Sequence, residues 1–103
     1  MFLSFRNNTM RFFASEIIRE KIFLNYRKEI PYSVEIAIDE YREEPDMDRI
    51  AATIYVSRES QKGIIIGHRG EMLKKVGTAA RIELEQFIDK KVFLPLHVKV
   101  NDD

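Results

Sequence analysis

Apolar positions recur at helical spacing from Phe12 to about Ile30, where Phe13, Ile17 and Leu24 line up with Ile18 and Ile22. Ser15 is the N-cap this pattern suggests, and Pro31 ends the helix because its ring blocks continuation. Residues 1–11 carry Asn7-Asn8-Thr9 without periodicity and read as a loose leader or linker remnant. The period then changes to two. Val34, Ile36 and Ile38 alternate with Glu35, Ala37 and Asp39, which predicts a half-buried strand over 34–41. An acidic connection containing Pro45 follows, and Ile50, Ala52, Ile54 and Val56 predict a second strand over 50–57, paired as a hairpin.

A short helix is expected from Ser60 or Gln61 to Ile66, stopped by Gly67. A longer one runs from Glu71 to about Ile88, with Leu73, Val76, Ala80, Leu84 and Phe87 as its inward stripe. Gly77 joins that stripe. A mid-helix glycine costs about 1 kcal/mol against alanine, so its use here is a close approach of helix to sheet. Finally Val92, Leu94, Leu96, Val98 and Val100 alternate with Phe93, Pro95, His97 and Lys99, a strand whose proline belongs at a sheet edge. The order αββααβ predicts an α+β fold of two layers: a three-stranded mixed sheet covered on one face by three helices. Residues 50–57 run parallel to 92–100 through a right-handed crossover, and 34–41 pair antiparallel on the other side.

Composition narrows the class. With 103 residues, 45% hydrophobic and 33% charged, one folded domain is expected. The 17 Lys and Arg balance the 17 Asp and Glu, so no bulk charge holds a polyanion and any affinity for one must come from local patterning. There is no cysteine, which removes disulfides, thiolate catalysis and cysteine-bound zinc and suits a reducing, cytoplasmic setting. The opening Met1-Phe2-Leu3-Ser4-Phe5-Arg6 is too short for a signal-peptide core or a membrane span.

The charge is segregated. Residues 35–48 carry Glu35, Asp39, Glu40, Glu43, Glu44, Asp46 and Asp48 against Arg42 alone, whereas 58–81 carry Arg58, Lys62, Arg69, Lys74, Lys75 and Arg81 against Glu59 and Glu71. Within the basic stretch lies Gly67-His68-Arg69-Gly70, at the mouth of the long helix. Backbone without Cβ atoms lets a phosphate come close, and the helix start points N–H groups and a positive dipole at the same place. Lys74 and Lys75 by themselves would be a solvated helix face; together with the glycine loop they make an RNA-backbone clamp. In that reading Gly67, His68, Arg69 and Gly70 hold about four nucleotides, Arg69, Lys62, Lys74 and Arg58 neutralise phosphates, and Ile65 belongs to an apolar groove floor under the bases. His68 can hydrogen-bond phosphate or base, and binding is expected to strengthen in mild acid.

Other chemistry fails on inspection. A dinucleotide fingerprint needs glycine where Ile65 stands, and no GxxxxGK[ST] phosphate loop occurs. The acidic run is not a calcium loop, since Ile50 and Ala51 fall where a ligand and a glycine belong. His68 and His97 lack a ligand partner in sequence, so no metal is expected. The rival reading is a protein-interaction module that docks a ribosomal protein or partner domain through its helices.

The run Ser60-Gln61-Lys62-Gly63-Ile64-Ile65-Ile66-Gly67-His68-Arg69-Gly70, followed by Glu71-Met72-Leu73-Lys74-Lys75-Val76-Gly77-Thr78-Ala79-Ala80-Arg81, resembles the C-terminal K-homology (KH) domain of the Era family of bacterial GTPases. The resemblance extends through Glu16-Ile17-Ile18-Arg19-Glu20-Lys21-Ile22, Glu29-Ile30-Pro31-Tyr32-Ser33 and Leu96-His97-Val98-Lys99-Val100, and so covers about residues 12–101. It implies a type II KH fold over 12–103 and binding of single-stranded RNA at the 3′ end of small-subunit (16S) ribosomal RNA. It also implies a place in small ribosomal subunit assembly, with no DNA partner. GTP and Mg would belong to a GTPase domain absent from this chain, which itself needs no cofactor and has no catalytic motif. The location implied is the cytoplasm, with at most peripheral contact at the inner membrane in the full-length protein.

Overall fold

A computed structural model describes residues 2–26 and 34–101, with side chains described for 7–26 and 34–101. The elements are α1 (Phe2–Tyr26), β1 (Glu35–Glu43), β2 (Met47–Val56), α2 (Glu59–Ile66), a single 3-10 turn (His68–Gly70), α3 (Glu71–Ile88), β3 (Lys91–Phe93) and β4 (Leu96–Val100). The α+β class and the order of elements are as the periodicity predicts. Three details differ.

The first concerns the loose leader expected over 1–11, of which residues 2–11 are instead the first turns of α1. Besides Met10, which packs against the core, polar contacts that no apolar stripe reveals hold these turns. Asn7 Nδ2 donates to Tyr41 O at 3.3 Å, Arg11 Nη1 to Ile38 O at 2.9 Å and Arg19 Nη1 to Val34 O at 2.9 Å. α1 thereby lies along β1 and occupies carbonyls beside its free edge. Ser15, expected as the N-cap, is mid-helix and donates to Phe12 O at 2.7 Å. Leu24 and Phe87, assigned to inward stripes, are 48% and 61% exposed. The helix end expected at Pro31 lies outside the described residues.

The second is a bulge in β1. Its register against β2 shifts between Ile38 and Glu40, so that Ile36 and Ile38 face inward before the bulge and Tyr41 faces inward after it. Tyr41 Oη donates to Asp48 Oδ2 at 2.9 Å, and Lys90 Nζ donates to Asp48 Oδ1 at 2.6 Å. Asp48 is thus a buried carboxylate, 1% exposed, whose charge is matched from the loop after α3.

The third is the last strand, which is two. β2 is central, antiparallel to β1 and parallel to both β3 and β4 along its other side. Pro95 interrupts the ladder because it has no N–H to give, yet its carbonyl still accepts Ala52 N–H at 3.1 Å. The sheet therefore has four strands rather than three, with β3 and β4 continuing one line. Ile50, Ala52, Ile54 and Val56 of β2 are fully buried against Ile17, Ile18 and Ile22 of α1 and Val76, Ala80 and Leu84 of α3. The core lies between the helices and one face of the sheet.

Candidate nucleic-acid interface

The site begins where α2 is made to stop. Gln61 Oε1 accepts the N–H groups of Ser57 and Arg58 at 2.9 and 3.2 Å, which fixes the start of α2, and Gly67 N–H closes its last turn on Gly63 O at 2.9 Å. Gly67 then turns the chain with φ 75° and ψ −178°. A Cβ there would sit 2.7 Å from Cβ and Cγ of Met72, so both conformation and space require glycine. Arg69 and Gly70 follow in the left-handed region, at φ 55° and 76°. Gly70 N–H returns to Gly67 O at 3.2 Å. A left-handed arginine costs roughly 1 kcal/mol, which the surrounding turns must hold. The result presents the side chains of His68 and Arg69 outward, both exposed, at the open end of α3.

Beside this loop runs a groove of about 460 Å³ between α3 and the β3–β4 line. Gly70, Leu73, Lys74, Gly77, Thr78 and Arg81 form its helical wall, and Phe93, Leu94 and Leu96 the other. Its floor is apolar and its helical rim is cationic. A Cβ on Gly77 would reach Leu96 Cδ1 at 3.4 Å. The glycine thus does more than let helix approach sheet: it keeps the groove floor clear.

Arg69 and Lys74 have no ion-pair partner among the described residues, whereas Arg81 Nη1 donates to Glu85 Oε1 at 3.0 Å. Glu85 Oε2 in turn accepts Val92 N–H at 3.0 Å. That backbone hydrogen bond, aided by Arg81 and against the opposing effect of burial, holds the Glu85 carboxyl below its ordinary value. The carboxylate therefore stays charged and ties Arg81 to the start of β3.

The sequence-predicted residues separate into groups. Gly67, His68, Arg69, Gly70 and Lys74 come together at the loop and the groove mouth. Arg58 and Lys62 lie at the start of α2, exposed and half-buried, and do not line the groove. Ile65 is a correction: it is fully buried in the core, and its carbonyl accepts the Tyr26 hydroxyl at 2.5 Å, so no base can rest on it. The exposed member of the three isoleucines is Ile64, at 39%. The groove itself is lined by Leu73, Gly77, Leu94 and Leu96, which the apolar pattern assigns to the helix stripe and the last strand. Its one trace in the sequence is a mid-helix glycine set against a proline-broken strand.

A family model described as KH domain matches residues 29–103. The chain belongs to the KH domain family. The KH fold is also the one found in solved relatives. Over 91% of its length the chain superposes on Era from Aquifex aeolicus bound to GDP.AlF4-, with a TM-score of 0.86 and 42% identity. It superposes equally well, with a TM-score of 0.86 and 42% identity over 91% of the chain, on Era solved in complex with MgGDPNP and nucleotides 1506–1542 of 16S ribosomal RNA. In sequence this KH domain is 54% identical over 95 residues to the GTPase Era of Geobacter metallireducens, and 53% identical over 90 residues to that of Coxiella burnetii. These matches take 90% and 87% of the chain but 32% and 30% of the relatives, so the chain spans about a third of their length. The resemblance to Era thus holds in sequence and in three dimensions. No helix among the described residues is long and apolar enough to cross a membrane.

Proposed function

We propose that this domain binds single-stranded RNA along the groove between α3 and the β3–β4 line, with the sugar-phosphate backbone against Gly67–Gly70. The observation that carries the reading is the left-handed turn that sets the exposed Arg69 beside Lys74 of α3 at the mouth of an apolar groove. Backbone without side chains takes the strand, Arg69 and Lys74 neutralise its phosphates, and bases lie over Leu73, Gly77 and Leu96. Arg58 and Lys62 extend the field along α2, and His68 donates to phosphate or base. The natural target is the 3′ end of small-subunit ribosomal RNA, supported by the solved Era complex with nucleotides 1506–1542 of 16S ribosomal RNA. The full-length protein is then an Era-like cytoplasmic GTPase of small-subunit assembly, with GTP and Mg held by residues outside this chain.

The test is the double variant His68→Asp, Arg69→Asp, titrated with an oligonucleotide copying that 3′ end beside a scrambled one. Aspartate tolerates the left-handed conformation at position 69, so the fold survives and far-ultraviolet circular dichroism stays unchanged. Binding is expected to vanish; unaltered affinity sinks the proposal. A second reading has one observation in its favour: Phe12 and Phe87, 67% and 61% exposed on α1 and α3, offer a partner protein an apolar foothold. Binding that ignores salt would select that reading.

A further inference from the structure

Arg81 differs from the other cations around the groove. Arg69 and Lys74 stand at the mouth without an ion-pair partner among the described residues, as groups that meet a phosphate should. Arg81 lines the same groove about 16 Å further along α3, eleven residues on from Gly70 at the rise of a helix. Its charge is already countered by Glu85 at 3.0 Å, and Glu85 is anchored by the Val92 N–H. A second anion gains little there.

What this pair offers is geometry. Nη1 is committed to Glu85, which biases the orientation of the guanidinium, while Nη2 and Nε have no partner among the described residues. A fixed fork of N–H donors matches two adjacent acceptors on one base. Guanine presents such a pair at N7 and O6, and cytosine at N3 and O2. Uracil separates its two carbonyls by an N–H, and adenine has no two adjacent acceptors, since its amino group flanks N1 and N7, and N3 has no acceptor beside it. Leu94 and Leu96 on the facing wall are apolar, so a base lying there has only its edge to hydrogen-bond.

Resting on the RNA-binding reading above, we infer that Arg81 reads the edge of a cytosine or guanine at the far end of the groove, and that Glu85 is the residue that positions it. The loop grips any strand; the Arg81–Glu85 pair chooses among strands. A glutamine at position 85 keeps an acceptor for Val92 N–H but has no charge to hold the fork, so the choice is lost while the grip remains.

The experiment measures affinities of the whole chain for cytidine, uridine and adenosine oligoribonucleotides of equal length, which avoids any uncertainty of register. The parent domain is expected to prefer the cytidine oligomer about tenfold, the worth of one bidentate contact. Arg81→Lys retains the charge but not the fork, and is expected to bring the three affinities together by weakening the cytidine oligomer alone. Glu85→Gln is expected to do the same, and to add nothing once Arg81→Lys is present, a dependence that a purely structural role of Glu85 would not produce. If Arg81→Lys weakens all three oligomers equally, or none, Arg81 is no base reader and this inference falls while RNA binding stands. If the parent binds all three alike, and binds no better an oligomer of the same length that carries guanosine among uridines, the inference falls in the same way. If the parent binds none of them and the ribosomal oligonucleotide also fails, the RNA-binding reading itself has failed.

Discussion

Four glycines lie in the chain, and the three at positions 67, 70 and 77 illustrate how differently one residue type can matter. At Gly67 a methyl group would collide with Met72 at 2.7 Å in a backbone conformation that side chains avoid. At Gly70 the conformation is also left-handed, but nothing lies within 4 Å of the missing Cβ. At Gly77 the backbone is helical and the nearest atom, Leu96 Cδ1, is at ordinary contact distance. Gly67→Ala is therefore expected to lose about 2 kcal/mol or more of stability, conformational strain and overlap adding together. Gly77→Ala is expected to gain up to about 1 kcal/mol from helix propensity while RNA binding weakens, because the methyl narrows the groove floor. Urea unfolding beside an RNA titration separates the two. A Gly77→Ala variant that binds RNA as tightly as the parent would mean that bases do not reach that floor.

At the scale of elements, the hairpin and α1 depend on polar groups more than their sequences suggest. Asp48 is an inward position on a strand whose other inward residues are apolar, and it is held by Tyr41 and Lys90. Removing it leaves the Lys90 ammonium without its acceptor. Since the Lys90 side chain is only 26% exposed, Asp48→Ala is expected to cost about 3 kcal/mol. Lys90→Ala added to it should cost little more, and a urea-unfolding double-mutant cycle reads that coupling. α1 makes a comparable contribution through Asn7 and Arg11. A chain beginning at Phe12 loses both contacts to the β1 carbonyls and uncovers the edge of that strand. It is expected to melt several degrees lower and to self-associate through β1, which light scattering behind size exclusion detects. A truncated chain that stays monomeric and equally stable would make those first turns dispensable.

Over the whole molecule, charge is zero in sum and divided in place. Seven carboxylates between 35 and 48 belong to the hairpin, and the free cations Arg69 and Lys74 to the loop and groove mouth. RNA affinity should accordingly depend on a few local cations. With Arg69, Lys74, Lys62 and Arg58 each displacing a counterion, log K against log salt is expected to slope at about −3, and at about −2 when Lys74 is replaced by alanine. A flat salt response would rule out phosphate contact as the source of affinity.

Much of this was legible along the chain. Period and punctuation locate the helices and strands, because each must turn one apolar face inward: Ile50, Ala52, Ile54 and Val56 mark β2, and Val76, Ala80 and Leu84 mark α3. The loop Gly67–Gly70 was legible too, since glycine spacing and nearby cations are local properties of a sequence. Contacts between distant segments were not. That residues 7 and 11 are helical follows from carbonyls some thirty residues away on β1. That Ile65 is core while Leu94 and Leu96 flank a groove follows from how α3 lies on the sheet, which hydrophobicity by itself cannot tell apart. And that Arg81 is oriented while Lys74 is free depends on Glu85 meeting the backbone of β3. The amino-acid order determined which segments form which elements and where the chain must bend, since those depend on neighbours in sequence. Only the packed fold decided which apolar residues stay open to a ligand and which cations are already spoken for, since those depend on neighbours in space.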